Sequence, residues 1–191
     1  FRVDRPGASG LVDVAVPVPS ADEVLVRVEA VGICGSDLEL VRGTRDEAFC
    51  RFPVVPGHEW AGVVVAGHAQ HPHLPVGTRV VVEGHHFCRA CEACRAGRTQ
   101  LCAHYDEYGF TRDGGYRELV AARVDLCHPF ARVDASRAAL SEPTACALHA
   151  VERSDITLVD RVAVIGAGPI GLLAAACAAA RRPTRLLVAD V

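Results

Sequence analysis

Short valine-rich runs bounded by proline, glycine or aspartate recur along the first two thirds of the sequence. Several of them alternate apolar and polar residues, the period-two pattern of a half-buried strand. The pattern predicts strands at residues 11–16, 24–31, 60–66, 79–83 and 115–121. Many short strands with glycine and proline turns, and few helices, indicate a compact, barrel-like β domain.

The pattern changes near Asp134, where helical composition replaces the strands. It predicts one helix at 135–140 and a second that has Pro143 in its first turn and runs to about residue 153, with Ser141 as its cap. Because the residue before a proline is disfavoured in helical geometry, Glu142 is expected at a break between these helices, with its carboxylate in a cleft.

A βαβ pattern follows from Arg161. It consists of a strand at 162–165, a glycine turn at 166–171, a helix at 172–180 and a second strand at 185–189. The expected fold class is mixed α/β, with one domain at residues 1–153 and the start of a second at 154–191. The fold is also expected to continue past both ends of the sequence.

The composition and net charge of the sequence argue against some classes of function. The 191 residues are 50% hydrophobic and carry a net charge of −3, so a sizeable core is expected and no basic surface for nucleic acid is indicated. No apolar run predicts a membrane span, and no signal peptide is recognised at the N-terminus. A cytoplasmic location is therefore expected, where the nine cysteines would stay reduced.

Four cysteines fall in one short window, at Cys88, Cys91, Cys94 and Cys102. Four thiolates on a tight loop can surround one zinc ion and leave no open position, which is a structural site. An iron–sulfur cluster fits less well, because the bacterial pattern has three residues before its last cysteine and a proline after it. A cluster and unliganded thiols remain the alternatives.

A second set of candidate ligands is dispersed: Cys34, the pair His58-Glu59, and Glu142. A thiolate, an imidazole and one or two carboxylates would hold zinc with a position left for water or substrate. Spacing alone also allows a buried cysteine and a surface His-Glu pair.

The glycine turn contains a third candidate site, formed by Gly166, Gly168, Pro169, Ile170 and Gly171. It follows a predicted strand, opens a predicted helix and precedes Asp190 at the end of the next strand. This layout is typical of dinucleotide binding, with the pyrophosphate at the helix N-terminus and the carboxylate on the adenosine ribose. Because Asp190 would repel a 2′-phosphate, NAD is favoured over NADP. A tight turn of another α/β fold is the alternative.

These motifs, in this order, resemble the zinc-containing medium-chain dehydrogenases. The resemblance rests on GICGSD, PGHEWAG, the four-cysteine loop, SEPTACALHAV and VIGAGPIGLLAA. It is strongest to the sorbitol, threonine and aminocyclitol dehydrogenases, judging by VEGH before the cysteine loop, GFTRDG and Glu142-Pro143. The resemblance implies a GroES-like β-barrel catalytic domain followed by the start of a Rossmann doubly wound parallel sheet.

The resemblance also implies roles for individual residues. Cys34, His58 and Glu59 would be ligands of a catalytic zinc, and Glu142 a ligand or the holder of its water. Ser36 would take the substrate proton and Asp37 would hydrogen-bond the ligating histidine. Glu39 stands where many members have a proton-relaying histidine, so the relay would either run through Glu39 and water or end at Ser36. This departure favours sugars, polyols or cyclitols over ethanol-type substrates.

The implied function is hydride transfer between NAD and a secondary alcohol, with two zinc ions per chain. A small-molecule alcohol or ketone would be the substrate, and the full-length protein would be a homodimer or homotetramer. Two alternatives remain, an inactive zinc-stabilised fragment of such an enzyme and a regulatory or nucleic-acid-binding zinc protein. The latter would need a basic face.

The remaining cysteines and histidines receive structural interpretations. Packing is expected for Cys50, Cys127, Cys146, Cys177 and His149, and solvation or capping for His68, His71, His73, His104 and His128. Loop surface is expected for His85 and His86, with the substrate cleft as the alternative.

Overall fold

The computed structural model describes residues 1–67 and 72–191, which form two compact units, Phe1–Ala139 and Leu140–Val191. The strands are β1 (Arg2–Arg5), β2 (Ala8–Gly10), β3 (Glu23–Val31), β4 (Trp60–Ala66), β5 (Arg79–Val82), β6 (His85–His86), β7 (Asp106–Glu107), β8 (Leu119–Arg123), β9 (Cys127–Pro129), β10 (Arg161–Ile165) and β11 (Arg185–Ala189). The helices are α1 (Gly35–Arg42), α2 (Glu92–Arg95), α3 (Ala135–Ala139), α4 (Ser141–Glu152) and α5 (Pro169–Ala180). Short 3-10 helices lie at Glu47–Phe49, Thr99–Leu101 and Val124–Leu126.

The first unit is built on a five-stranded antiparallel sheet with the order β8-β3-β4-β5-β9. Alternation along β3 buries Val24 and Val26 completely, as expected for one face of a sheet on a core. Trp60, at the start of β4, lies in the same core and meets the Tyr108 ring edge-on at 5.8 Å. A smaller cluster packs Leu40 of α1 against Val54 and Phe110.

The second unit pairs β10 and β11 in parallel, in register from Arg161↔Arg185 to Ile165↔Ala189. A right-handed crossover through a helix is the usual way to join parallel strands, and α5 provides the connection here. Its alanine-rich sequence suits a helix, and Pro169 occupies the first helical position, where its missing N–H leaves no bond unmade. The expectation of a mixed α/β fold is confirmed.

Several predicted elements have different bounds in the structure. Residues 11–16 were expected to be a strand, but they form none and their side chains are exposed. The strand expected at 115–121 begins only at Leu119, and the helix expected from 172 begins at Pro169. The strand at 60–66 has the predicted bounds.

The predicted break at Glu142 is wrong, because this residue lies in the first turn of α4. The helix begins at Ser141, and Leu140 takes the cap position that was expected for Ser141. Pro143 fits inside this first turn because the N–H groups there have no intrahelical acceptor.

The chain divides into its two compact units between residues 139 and 140, and the domain boundary expected at 153 and 154 stays a prediction. Helix α4 packs against α5, which groups it with the βαβ segment. Both helices have 12 residues and are therefore about 18 Å long, too short for a bilayer core of about 30 Å. No helix among residues 1–67 and 72–191 meets that length.

Some interpretations of single residues also change. His149 and Cys146, expected to pack, are exposed, and His85 and His86 form a short strand in which His86 is buried. The exposure expected of three other histidines is confirmed, at His73, His104 and His128. His68 and His71 lie outside the described residues.

Candidate functional site

Cys88, Cys91, Cys94 and Cys102 come together as one group, named here the four-thiol group, with all sulfur atoms within 4.8 Å of one another. A left-handed residue, Arg89 at φ 60°, turns the chain between the first two cysteines, and α2 carries the third. Four sulfur donors at this separation fit one tetrahedral zinc ion with no open position. The structure thus fits the ligand set that the spacing predicted.

Backbone N–H groups surround these sulfur atoms. The amides of Ala90 and Cys91 point at the Cys88 sulfur, at 3.4 and 3.3 Å. Hydrogen bonds from the amides of Ala103 and Cys94 lower the pKa of the Cys91 thiol to about 6, whereas burial and the neighbouring thiols raise the pKa of Cys94 to about 12. Thiolates this close repel one another, so a full set of four needs a cation.

The four-thiol loop is tied to the sheet of the first unit through Asp125. Its carboxylate accepts two hydrogen bonds from Arg123, at 2.7 and 2.9 Å, and also pairs with Arg89 of the loop. Burial raises the pKa of Asp125, but the two arginines outweigh it and bring the pKa down to about 2.

Cys34, His58 and Glu59 form a second group, named here the mixed group, with one donor atom of each within 4.8 Å of the others. Cys34 is the N-cap of α1, and the other two residues directly precede β4. The antiparallel pair β3–β4 brings the two segments together, since its ladder ends at Val31↔Trp60 and the next amide donates from Gly32 to the Glu59 carbonyl at 2.7 Å.

Gly32 leaves space for the Glu59 side chain. A Cβ atom at this position would lie 2.2 Å from Glu59 Oε2, closer than real Cβ contacts, and 3.2 Å from Glu59 Cβ, which is tighter than most of them. Both His58 and Glu59 are buried, so their donor atoms are held in place by their surroundings. The packing of the Glu59 side chain therefore explains the first glycine of GICGSD, Gly32.

Asp37, on the first turn of α1, joins the segments of the mixed group. Its Oδ2 accepts the Cys34 amide at 2.9 Å, and its Oδ1 accepts the Gly57 amide at 3.3 Å and lies 3.6 Å from His58 Nδ1. Burial raises the pKa of Asp37, but the interaction with His58 and the hydrogen bond from the Cys34 amide outweigh it, so the net pKa is lowered. The carboxylate is thus ionised and faces the imidazole.

The other expected site residues lie in different places. Ser36 is half-buried in the first turn of α1, two residues from Cys34, and Glu39 is exposed on the same helix. Glu142 belongs to the second unit, where its Oε1 lies 3.8 Å from the Cys146 sulfur. A role for Glu142 as a ligand stays a prediction.

Two features of the first unit had no signal in the sequence. The Tyr116 hydroxyl lies 3.1 Å from Asp37 Oδ2 and 3.0 Å from the Gly32 carbonyl oxygen. His86, expected on a loop surface, packs edge-on against Tyr108 with ring centroids 4.5 Å apart, and burial is the main cause that lowers its pKa to about 4.

The glycine loop of the second unit has the backbone that close approach of a phosphate requires. Gly166 has φ +100°, and a Cβ at Gly171 would lie 1.9 Å from the Gly166 oxygen. A Cβ at Gly168, the N-cap of α5, would meet no atom of residues 1–67 and 72–191 within 4 Å, so the space on this side of Gly168 is open. Asp190 Oδ2 accepts the Ala167 amide at 2.7 Å, which joins the carboxylate to this loop.

Pro169 and Ile170, the other two expected residues of this loop, form the first turn of α5. The Ile170 side chain is 51% exposed. The backbone amides of such a turn point away from the helix and carry the positive end of its dipole.

The sequence matches the family described as alcohol dehydrogenase GroES-like domain over residues 20–132. Among curated proteins, erythritol/L-threitol dehydrogenase of Mycolicibacterium smegmatis is 41% identical over 195 residues, covering 95% of this chain and 54% of that protein. The chain spans about half the length of the curated relatives it matches.

Two solved structures have the same fold over nearly the whole chain. One, from Sinorhizobium meliloti 1021, is assigned as a zinc-binding dehydrogenase with NADP bound; its TM-score is 0.92 at 34% identity, covering 98% of this chain and 54% of that one. The other, from Escherichia coli CFT073, is named as a short chain alcohol dehydrogenase in complex with NADH; its TM-score is 0.89 at 31% identity, covering 99% and 55%.

Proposed function

We propose that this chain, which belongs to the alcohol dehydrogenase family with a GroES-like domain, carries the zinc-holding part of an enzyme that transfers hydride between a secondary alcohol and NAD. The observation that carries the proposal is the mixed group, which lies in the same unit as a closed four-thiol group. Three protein donors with one position left open are typical of catalytic zinc, and four cysteines of structural zinc.

The residues present fit both zinc ions by their chemistry. The four-thiol group would hold one ion and stabilise its loop. Cys34 and His58 would hold the other, with Glu59 or Glu142 as the carboxylate ligand. When bound there, zinc supplies a Lewis acid that lowers the pKa of a hydroxyl group.

The chain's own side chains would handle the proton and the orientation. Ser36, two residues after Cys34 on the first turn of α1, would accept the proton of the substrate hydroxyl as its own hydroxyl proton passes on towards solvent. Glu39, exposed on the same helix, would pass the proton to solvent through water. Asp37 would hold the His58 ring by its Nδ1 side, leaving Nε2 for the metal.

The glycine loop would bind the dinucleotide. Its pyrophosphate would lie in the open space at Gly168, on the amides at the start of α5. The Asp190 carboxylate supports NAD over NADP, because it would repel a 2′-phosphate.

The substrate class is proposed from the relatives and from Glu39. The name of the Mycolicibacterium smegmatis relative gives the four-carbon polyols erythritol and L-threitol as its substrates. Glu39 stands where many members of the family have a histidine, and this departure further supports a sugar, a polyol or a cyclitol.

Zinc per chain tests the proposal, measured by elemental analysis on the wild type and on Cys34→Ala. Cys50→Ala is the matched control, because Cys50 is also half-buried and lies outside both groups. We expect two zinc ions in the wild type and in the control, and one in Cys34→Ala. One zinc ion in all three proteins would overturn the catalytic site.

Turnover is the second readout. Production of NADH from erythritol, L-threitol or sorbitol by the wild type but not by Cys34→Ala would support the dehydrogenase function. Two zinc ions in the wild type, with neither turnover nor NAD binding by calorimetry, would support the alternative that this chain is a zinc-stabilised fragment without activity.

A further inference from the structure

The hydroxyl group of Tyr116 contacts the segment that carries Cys34, at two acceptor atoms. Its oxygen is 3.0 Å from the Gly32 carbonyl oxygen and 3.1 Å from Asp37 Oδ2. A phenol has one proton to donate, so the two acceptors share or exchange this hydrogen bond. Burial and the Asp37 carboxylate both raise the pKa of Tyr116, which keeps the hydroxyl protonated and able to donate.

The backbone next to Tyr116 is fixed against the loop that carries His58. The Tyr116 amide donates to the Pro56 carbonyl at 2.9 Å, and the Gly115 amide donates to the Gly57 carbonyl at 2.8 Å. The tyrosine ring covers Gly57, whose φ is +96°: a Cβ there would lie 2.7 Å from Tyr116 Cδ1. The ring is therefore held in a position that aims its hydroxyl at Asp37.

Asp37 passes this constraint on to the ligand candidates. Its Oδ2 also accepts the Cys34 amide, and its Oδ1 lies 3.6 Å from His58 Nδ1. If the carboxylate rotated, its hydrogen bond with the Cys34 amide and its distance to His58 Nδ1 would change together. A carboxylate that orients a ligating histidine is itself normally held by hydrogen bonds, and removing such a partner weakens metal binding by about 10- to 100-fold.

We propose that Tyr116 is a positioning residue for the mixed group, acting through Asp37 on His58 and Cys34. The proposal rests on the proposed zinc ion in that group. It assigns to Tyr116 no contact with substrate or metal. It adds to the family motifs a residue that lies 79 positions from Asp37 along the chain.

Tyr116→Phe tests the proposal, since it removes the hydroxyl and keeps the ring over Gly57. Tyr108→Phe is the matched control, because the Tyr108 hydroxyl bonds the backbone of β8 at Ala121 rather than Asp37. Two properties of each variant are measured, zinc affinity by competition with a chelator and the visible absorption spectrum after replacement of zinc by cobalt(II). Asp37→Asn and the double variant that combines it with Tyr116→Phe complete a double-mutant cycle.

We expect Tyr116→Phe to bind zinc at the mixed group about tenfold more weakly and to change the cobalt spectrum, with the four-thiol group still loaded. Tyr108→Phe should match the wild type in both readouts. Asp37→Asn should lose at least as much affinity as Tyr116→Phe, and the double variant should lose no more than Asp37→Asn alone.

Wild-type affinity and spectrum in Tyr116→Phe would overturn the positioning role, as would losses that add up in the double variant. If Tyr116→Phe fails to fold, Asp37→Asn decides alone, because unchanged zinc affinity in that variant would remove the step through Asp37. A wild type with zinc in the four-thiol group only would overturn the proposed function as well, which distinguishes the two failures.

Discussion

Gly114 is a position where one added methyl group should disturb the site without touching a ligand candidate. A Cβ atom there would lie 2.1 Å from the Gly57 carbonyl oxygen and 2.8 Å from backbone atoms of Gly109. Gly57 directly precedes His58. The variant Gly114→Ala therefore forces apart two backbone segments that hold the loop of the mixed group.

The size of the effect follows from these distances. An ordinary contact begins near 3.4 Å, so the two segments must separate by more than 1 Å. Such a shift breaks the hydrogen bonds from Gly115 to Gly57 and from Tyr116 to Pro56, now 2.8 and 2.9 Å long. Two lost bonds at about 1 kcal/mol each, with overpacking strain of about 1–3 kcal/mol, lower the free energy of unfolding by about 3–5 kcal/mol.

Urea unfolding followed by tryptophan fluorescence measures this loss. Trp60 is the single tryptophan of the sequence and is buried in the core of the first unit, so the signal reports this unit. Gly10→Ala is the control, because a Cβ there meets no atom within 4 Å, and it should stay within about 0.5 kcal/mol of the wild type. A loss below about 1 kcal/mol in Gly114→Ala, with both zinc ions retained, would refute the reasoning.

Three further predictions concern the other sites. Gly171→Ala should destabilise the second unit, because its Cβ would clash with the backbone of the glycine loop. Gly168→Ala should leave the thermal unfolding of this unit, followed by circular dichroism, unchanged and should weaken NAD binding about tenfold in calorimetry. Equal effects of the two variants would contradict this prediction. A chelator at neutral pH should remove zinc from the mixed group before the four-thiol group, because four thiolate ligands leave no coordination position for a competing ligand. Elemental analysis at successive times measures this order, and simultaneous loss of both zinc ions would contradict it. Asp125→Asn should lower the free energy of unfolding by about 1 kcal/mol at pH 7 after solvent screening. Because the folded pKa of about 2 lies below the ordinary 3.8, this contribution is full above about pH 4 and is lost as the pH falls towards 2, so urea unfolding at several pH values should show the difference between variant and wild type shrink with acid.

The strands show what a hydrophobic pattern can and cannot predict. Residues 11–16 are valine-rich like β3, yet only β3 becomes a strand, because β4 and β8 pair with its two edges. Alternation reports which side chains favour a half-buried sheet, but it does not tell whether a partner edge is available. The predicted strand at 60–66 was right because this run lies between β3 and β5 in the sheet.

The same contrast holds for the site residues: those close together in sequence could be predicted from their spacing, and those brought together only by the fold could not. The four-thiol group was predictable because all of its donors lie on one loop, where spacing alone limits their separation. Tyr116 was not predicted, because it lies 79 residues from Asp37 along the chain and only the fold brings the two side chains together. His86 was misjudged because a two-residue strand paired with β7 buries it, and so short an element has no period to detect.

The ladder between β3 and β4 has a consequence for variation in chain length. It ends at Val31↔Trp60, and the bond from Gly32 to the Glu59 carbonyl adds one more rung beside the ligand candidates. Insertions or deletions between residues 43 and 53 lie outside these rungs, so relatives could lengthen or shorten this connection while the mixed group keeps its spacing. A single residue inserted between Glu59 and Trp60 would instead move both His58 and Glu59 one position away from the end of the ladder and turn their side chains to the opposite side of the chain.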